Sequence, residues 1–342
     1  MRSFKVAAAQ VSSTYFDKAA CLETALKYIG EAADAECKLI VFAELFMPGY
    51  PFHIWIKPYA ETLPFVSLYY ANAVTNDGPE AEALKAAARK HNIRIVIGVA
   101  EKDHGSLYMT QWIISPDGSL IARRKVKPTG PERLVFGEGD GSDLTVHDTE
   151  IGRVGALQCW EHAQPLFKHV MMSQHEEIHC ASWPCFPPAL PHFSLGAEAN
   201  YTSNMAYAVE TGSFVIAATS PLTEQNMSVI AHDMPQAREG LGIGGGLAQV
   251  FDPEGKPIGE RPPHDAQALC IVQIDLDKCL IARSILDPVG HYSRPDIFQL
   301  SFDNRPRQHV LPGAHGGTQI VSGDMRKARS VIFSSPVSES TL

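Results

Sequence analysis

The chain predicts an α/β fold with β-hairpins, and three observations carry that prediction. Short continuous apolar runs, such as Leu39 to Phe42 and Phe214 to Ala218, have the length and composition of buried strands. Between such runs lie segments with apolar residues at helical spacing, Leu22, Ala25, Leu26, Ile29 and Ala33 being the clearest. Twice a Pro–Gly turn, Ser115-Pro116-Asp117-Gly118 and Asp252-Pro253-Glu254-Gly255, joins two strand candidates directly. Units of helix and strand flank a central stretch, Ile151 to Leu166, as two related halves.

In order, Lys5 to Gln10 reads as a first strand and Phe16 to Ala33 as a helix. The strand Leu39 to Phe42 leads to Glu44, a carboxylate whose burial without a partner would be costly. Phe46 to Tyr70 is dense in aromatics and prolines and predicts a loop that walls an apolar pocket. Asp77-Gly78-Pro79-Glu80 starts a helix that continues over Leu84 to Lys90, and Ile93 to Ala100 returns as a strand. The hairpin strand after Gly118 delivers Lys125. Lys127 falls on the same face of that strand, so alternation alone does not separate the two.

Val154 to Leu157 predicts a buried strand that ends at Cys159, followed by a polar Trp160-Glu161-His162 turn and a helix over Leu166 to Met172. A cysteine at such a turn sits on a rigid scaffold, near backbone N–H groups that favour thiolate. Beyond it, Glu177 to Ser182 reads as a strand, Ala197 to Glu210 as a helix stopped by Gly212, and Ala268 to Ile274 as a closing strand. From Asp303 the chain turns to Gly, Pro and Ser. The division is therefore a domain over 1–302 and a tail over 303–342, extended or partly disordered.

Two motifs invite misreading. His175-Glu176-Glu177-Ile178-His179 has the H-E-x-x-H form but runs into a strand, so the histidines do not share a helix face; a polar edge entering a strand is expected instead of zinc. Gly240 to Gly245 contains G-x-G-x-x-G but precedes a strand where a dinucleotide fold needs a helix, and predicts a loop or a close backbone approach.

Composition narrows the function classes. A net charge of -9 with no long basic run excludes nucleic acid and anionic membranes as partners. The N-terminus lacks a signal-peptide pattern, no apolar stretch approaches a membrane span, and seven cysteines at no zinc-like spacing fit reduced thiols in the cytoplasm.

Three motifs in order, A-E-L-F-M-P-G-Y-P around Glu44, R-R-K-V-K-P-T-G-P-E-R-L-V-F-G-E-G-D-G around Lys125 and C-W-E-H at Cys159, resemble the nitrilase branch of the carbon–nitrogen hydrolase superfamily, from about Lys5 to Leu300. The resemblance implies a four-layer αββα sandwich and a catalytic set of Glu44, Lys125, Cys159 and Glu132, with Lys125 favoured over Lys127. Substrate-binding positions fall on Tyr50, Trp160, Trp183 and Pro184. Glu132 is expected to orient Lys125 or substrate, with a plain ion pair to Arg133 as the other reading.

The chemistry implied converts a nitrile to a carboxylic acid and ammonia through a cysteine thioimidate and thioester, with no cofactor and no metal. The run C-A-S-W-P-C-F-P-P resembles enzymes of arylacetonitriles, and the aromatic loop agrees; small aliphatic nitriles stay open. An amidase or carbamoylase of the same superfamily, cyanide hydratase-like amide release and an idle scaffold are the other readings. The resemblance also implies a homo-oligomer of dimers extending into spirals. Leu166, Phe167, Val170 and Met171 leave apolar groups on more than one face of their helix, with Met172 expected to be exposed.

Overall fold

The structure, a computed structural model, describes residues 2–307. The tail expected over 303–342 therefore lies, beyond position 307, outside the described residues. Two sheets lie face to face. The first takes strands β1 (Ser3–Gln10), β2 (Cys37–Val41), β3 (Arg94–Asp103), β4 (Ser106–Ile114), β5 (Leu120–Arg124) and the short β6 (Phe136–Gly137). The second holds β7 (His147–Thr149), β8 (Gly152–Gln158), β9 (Ile178–Ser182), β10 (Phe214–Ala218), β11 (Gln249–Phe251) and β12 (Pro257–Ile258). The last strand, β13 (Ala268–Asp275), returns to the first sheet, which runs β13-β1-β2-β3-β4-β5; the second runs β12-β11-β10-β9-β8-β7.

Alternation along these strands sorts their side chains into layers. Val6, Ala8, Leu39, Val41 and Val96 face Val154, Ile178, Phe214 and Ile216 across the interface between the sheets. The opposite face of the first sheet, with Ala7, Ile40, Ile95 and Ile97, packs on helices α1 (Lys18–Asp34) and, past two further helices, α4 (Pro79–His91). On the second sheet's outer face, Leu157, Ala181 and Val215 meet α5 (Pro165–Met172) and α6 (Ala197–Thr211). The αββα sandwich follows from these three contacts. Strands with apolar residues on both faces are what such burial requires.

Most expected elements appear within two residues of their predicted bounds, and Gly212 ends α6 in the left-handed conformation that spares glycine a Cβ clash. The stretch Phe46 to Tyr70 departs from expectation. It forms α2 (His53–Ile56) and α3 (Tyr59–Asn72) rather than a continuous loop. Pro58 stands at the N-cap of α3, where a missing N–H is harmless, and Pro64 inside the helix removes only one bond of the ladder. Three short helices, α7 (Glu224–Ile230), α8 (Pro235–Leu241) and α9 (Asp277–Ile285), were not expected.

Gly240 belongs to α8, and the glycines after it make the close approach predicted. A Cβ on Gly245, at φ +83°, would fall 2.4 Å from the carbonyl of Phe186. The start of the tail is seated on the Gly137–Gly141 turn: the backbone N–H of Arg307 donates to Asp140 Oδ2 at 2.8 Å, and a Cβ on Gly141 would overlap the carbonyl of Asp303. Among the described residues no helix is long and apolar enough to cross a membrane.

Candidate active site

Glu44, Lys125, Glu132 and Cys159 come together at one end of the sandwich, all buried. Three of them lie just past the end of a strand. Glu44 follows β2, with its N–H on the carbonyl of Trp183 at 3.1 Å. Lys125 extends β5 by one residue, its N–H still bonding Met109 in the neighbouring strand at 2.7 Å. Glu132 lies in a single 3₁₀ turn capped by Thr129. Cys159 follows β8 and opens another 3₁₀ turn, Cys159–Ala163, where a polar turn over Trp160 to His162 was expected.

The Lys125 ammonium bridges the two carboxylates, 2.8 Å from Glu44 Oε1 and 2.8 Å from Glu132 Oε2. Glu132 accepts further bonds from Tyr50 Oη at 2.6 Å and the Thr129 N–H at 2.6 Å, so both its oxygens are engaged. It makes no ion pair with Arg133, the other reading of its role. Glu44 Oε2, by contrast, is buried with no hydrogen-bond partner. Lys127 is half exposed and pairs with Glu138, which separates it from Lys125 on grounds the strand period could not supply.

Two carboxylates around one ammonium leave an excess negative charge out of water. The Glu44 carboxyl is pushed up to about 8, with burial raising it most, Lys125 pulling it back and Glu132 adding to the rise. Burial opposes the charge on Lys125, but Glu132 and Glu44 outweigh it and hold the ammonium well above its ordinary range. The thiol of Cys159 is raised as well, by burial first and then by Glu44, against the lowering pull of Lys125 and of the Trp160 N–H. The backbone N–H groups expected to favour thiolate at this turn are outweighed. The turn supplies one N–H, and burial together with the carboxylates overcomes it, so Cys159 rests as a thiol beside Glu44, whose ionised form can take its proton.

Cys159 has φ +48°, a left-handed conformation uncommon for a residue with a Cβ. Glu161 holds it there. One Glu161 oxygen accepts from the N–H of Gln158 at 2.8 Å, the other from the N–H of Val126 at 2.8 Å, and Arg123 binds both oxygens. The end of the cysteine strand and the end of the lysine strand are thus stapled by a single side chain. Sequence reading passed over Glu161, although Gln158-x-x-Glu161 has the spacing of a capping box.

Of the expected substrate-binding residues, Tyr50, Trp160 and Pro184 line a cavity of about 160 Å³ that also reaches Cys159 and Glu132. Phe52, Trp55, Phe186 and Leu241 complete its apolar wall. Trp183 does not line it. Its ring is buried, stacked on His162 at 4.7 Å, and its Nε1–H donates to Asn204 Oδ1 at 2.9 Å. A period-two strand end turns Trp183 inward and leaves Pro184 at the cavity.

The H-E-x-x-H stretch is corrected in a different way. No shared helix face forms, as expected, but Glu176 and His179 are completely buried rather than a polar edge. His179 bonds Glu176 through Nδ1 at 2.8 Å and His162 through Nε2 at 2.8 Å. Among the described residues no group of three or more His, Cys, Asp or Glu is arranged to hold a metal. Met172, expected to be exposed, is buried; Leu166 is the exposed apolar residue of α5, at 62%.

Residues 5–283 match the family described as carbon-nitrogen hydrolase. An aliphatic nitrilase of Rhodococcus rhodochrous is 43% identical over 315 residues, covering 91% of this chain and 84% of that protein. An arylacetone-specific nitrilase of Alcaligenes faecalis is 41% identical over 301 residues, covering 87% and 84%. A cyanide hydratase of Penicillium rubens is 38% identical over 321 residues, covering 91% and 89%. The crystal structure of a carbon-nitrogen hydrolase from Helicobacter pylori superposes with a TM-score of 0.67 at 19% identity, over 87% of this chain and 97% of that one, a likeness of fold.

Proposed function

The chain belongs to the carbon–nitrogen hydrolase family and is a nitrilase, and from that premise we propose how its residues convert a nitrile to a carboxylic acid and ammonia. The observation that carries the reading is Cys159 at an apolar cavity, beside a carboxyl group with one unpartnered oxygen and an ammonium clamped between two carboxylates.

Cys159 Sγ adds to the nitrile carbon as Glu44 takes the thiol proton. That proton passes to the nitrile nitrogen, giving a neutral thioimidate. A first water, deprotonated by Glu44, adds to the same carbon, and the Lys125 ammonium with the Trp160 N–H stabilises the tetrahedral species. Glu44 protonates the nitrogen, the C–N bond breaks, and ammonia leaves a thioester on Cys159. A second water, activated in the same way, releases the acid and returns the proton to sulfur. Glu132 keeps Lys125 charged and fixed. Two waters enter, and one acid and one ammonia leave. If the C–S bond of the tetrahedral species breaks before the C–N bond, amide is released instead.

Cavity shape supports compact apolar nitriles, arylacetonitriles among them. Its volume of about 160 Å³ matches that of an apolar cavity, about 150 Å³, that holds one benzene ring. The exposed Leu166 beside half-buried Phe167 supports a homo-oligomer through α5. Seven free cysteines support residence in the reducing cytoplasm.

The deciding experiment is a panel of aryl, arylacetyl and aliphatic nitriles, with their amides, scored for ammonia, acid and amide. Acid and ammonia in equal amounts from a nitrile are expected. Turnover of amides alone would move the chain to the amidase reading, and amide as main product to the hydratase one.

A further inference from the structure

Behind Cys159, on the side away from the cavity, lies a row of polar groups that the mechanism does not use. His162 Nδ1 is 2.6 Å from the carbonyl oxygen of Cys159, His162 Nε2 is 2.8 Å from His179 Nε2, and His179 Nδ1 is 2.8 Å from Glu176 Oε1. Tyr207 Oη donates to Glu176 Oε2 at 2.6 Å. All four side chains are buried, among Trp183 and the residues of α6.

Each of the three contacts ending on an imidazole nitrogen is short enough to need a hydrogen in it. A carbonyl can only accept, so His162 carries its proton on Nδ1. A neutral His162 then presents a lone pair at Nε2, and His179 must donate to it from its own Nε2. A neutral His179 in turn presents a lone pair at Nδ1, which an ionised Glu176 cannot satisfy. Three hydrogen bonds need three protons, and two neutral imidazoles bring two.

We propose that Glu176, His179 and His162 together hold one proton more than an ionised carboxylate and two neutral imidazoles, and that this proton fixes His162 as the Nδ1–H tautomer donating to Cys159. The third proton lies between Glu176 and His179, as a protonated carboxyl or as an imidazolium–carboxylate pair. Burial and His179 push the basicity of His162 well down, which keeps the extra charge off its ring. The cations facing the row are otherwise engaged. Arg123 binds Glu161, Lys168 binds Glu210, and Arg283 donates to the carbonyls of Glu176 and Thr211.

The consequence reaches the sulfur through one peptide group. The carbonyl that His162 grips and the Trp160 N–H that lowers the Cys159 thiol belong to the same amide. Hydrogen bonding at the oxygen polarises that amide and strengthens the N–H as a donor. His162 is therefore a positioning residue for the nucleophile, a role that rests on the reading of Cys159 given above.

Nuclear magnetic resonance of the wild-type chain with ¹⁵N-labelled histidine tests the proton count. The expected result is His162 as the Nδ1–H tautomer at neutral pH, shifting to Nε2–H when alkali removes the third proton. In Glu176→Gln the amide donates permanently to His179, so the Nδ1–H form should persist in alkali. A neutral-pH wild-type spectrum showing His162 as Nε2–H overturns the proposal, and needs no variant to fold. His162→Phe keeps the stack on Trp183 and loses the donor; kcat should fall about tenfold or more with KM unchanged. Unchanged kcat in a folded His162→Phe overturns the positioning role. Turnover by Cys159→Ala would instead remove the nucleophile reading and leave the tautomer result standing.

Discussion

Arg123 and Glu161 form a buried two-pronged ion pair that ties the end of β5 to the end of β8, and so fixes the separation of Lys125 from Cys159. Both side chains are almost wholly out of water. A pair of this kind adds little net stability when intact, but deleting one partner strands the other charge. Arg123→Met should therefore destabilise the chain by about 3–5 kcal/mol, read as a lower urea midpoint. A wild-type midpoint would show that Glu161 finds another partner.

Cys159→Ala removes the proposed nucleophile and only a small volume, so turnover should vanish while the melting temperature stays close to wild type. Intact mass of wild-type enzyme stalled on a slow nitrile should show a substrate adduct that the variant lacks. An adduct that persists on the variant would mean that another group is the nucleophile.

What was legible in the chain is what local pattern encodes. The apolar runs of β2, β8 and β10 and the helical period of α1 need no partner to be read, because burial on both faces or on one stripe is written in consecutive residues. Glu44, Lys125 and Cys159 were legible through their motifs. The raised thiol was not, because it depends on how deeply the fold buries Cys159 and on which carboxylates arrive from other strands. Neither was the role of Glu176 and His179: in sequence they look like charged residues at a strand edge, and only parallel pairing of β9 with β8 and β10 carries them into the interior. The helices at α2 and α3 were hidden by prolines that read as loop until their capping positions are known.

Glu44 gives a prediction in which activity and stability move in opposite directions. In its proposed role as base it must be ionised, and its carboxyl is raised to about 8, so kcat/KM should fall as the pH drops below that value. Its folded-state pKa lies above the ordinary value of 4.5, so the folded chain binds this proton more tightly than the unfolded one. The stability it contributes is fully present below the unfolded value and is lost as the pH rises through about 8. Glu44→Gln should abolish turnover yet melt higher than wild type at alkaline pH, the difference shrinking as the solution is made acidic. Melting curves of both proteins across the pH range test it, and a difference that grows toward acid would reverse the assigned sign.

Assembly through α5 is best tested at Leu166, since Met172 is covered within the protomer and a charge there would be buried instead. Leu166 is exposed at 62% in the first turn of α5, following Pro165. An acidic residue in a first turn is favoured by the helix dipole, so Leu166→Glu should leave the isolated protomer as stable as before. In an interface the same carboxylate would be buried without a partner, which is strongly unfavourable. The expected outcome is a smaller particle by light scattering, with an unchanged circular dichroism spectrum and lower specific activity. A variant that keeps the wild-type mass would place the interface elsewhere, and a wild-type chain that is monomeric and fully active at micromolar concentration would remove the need for one.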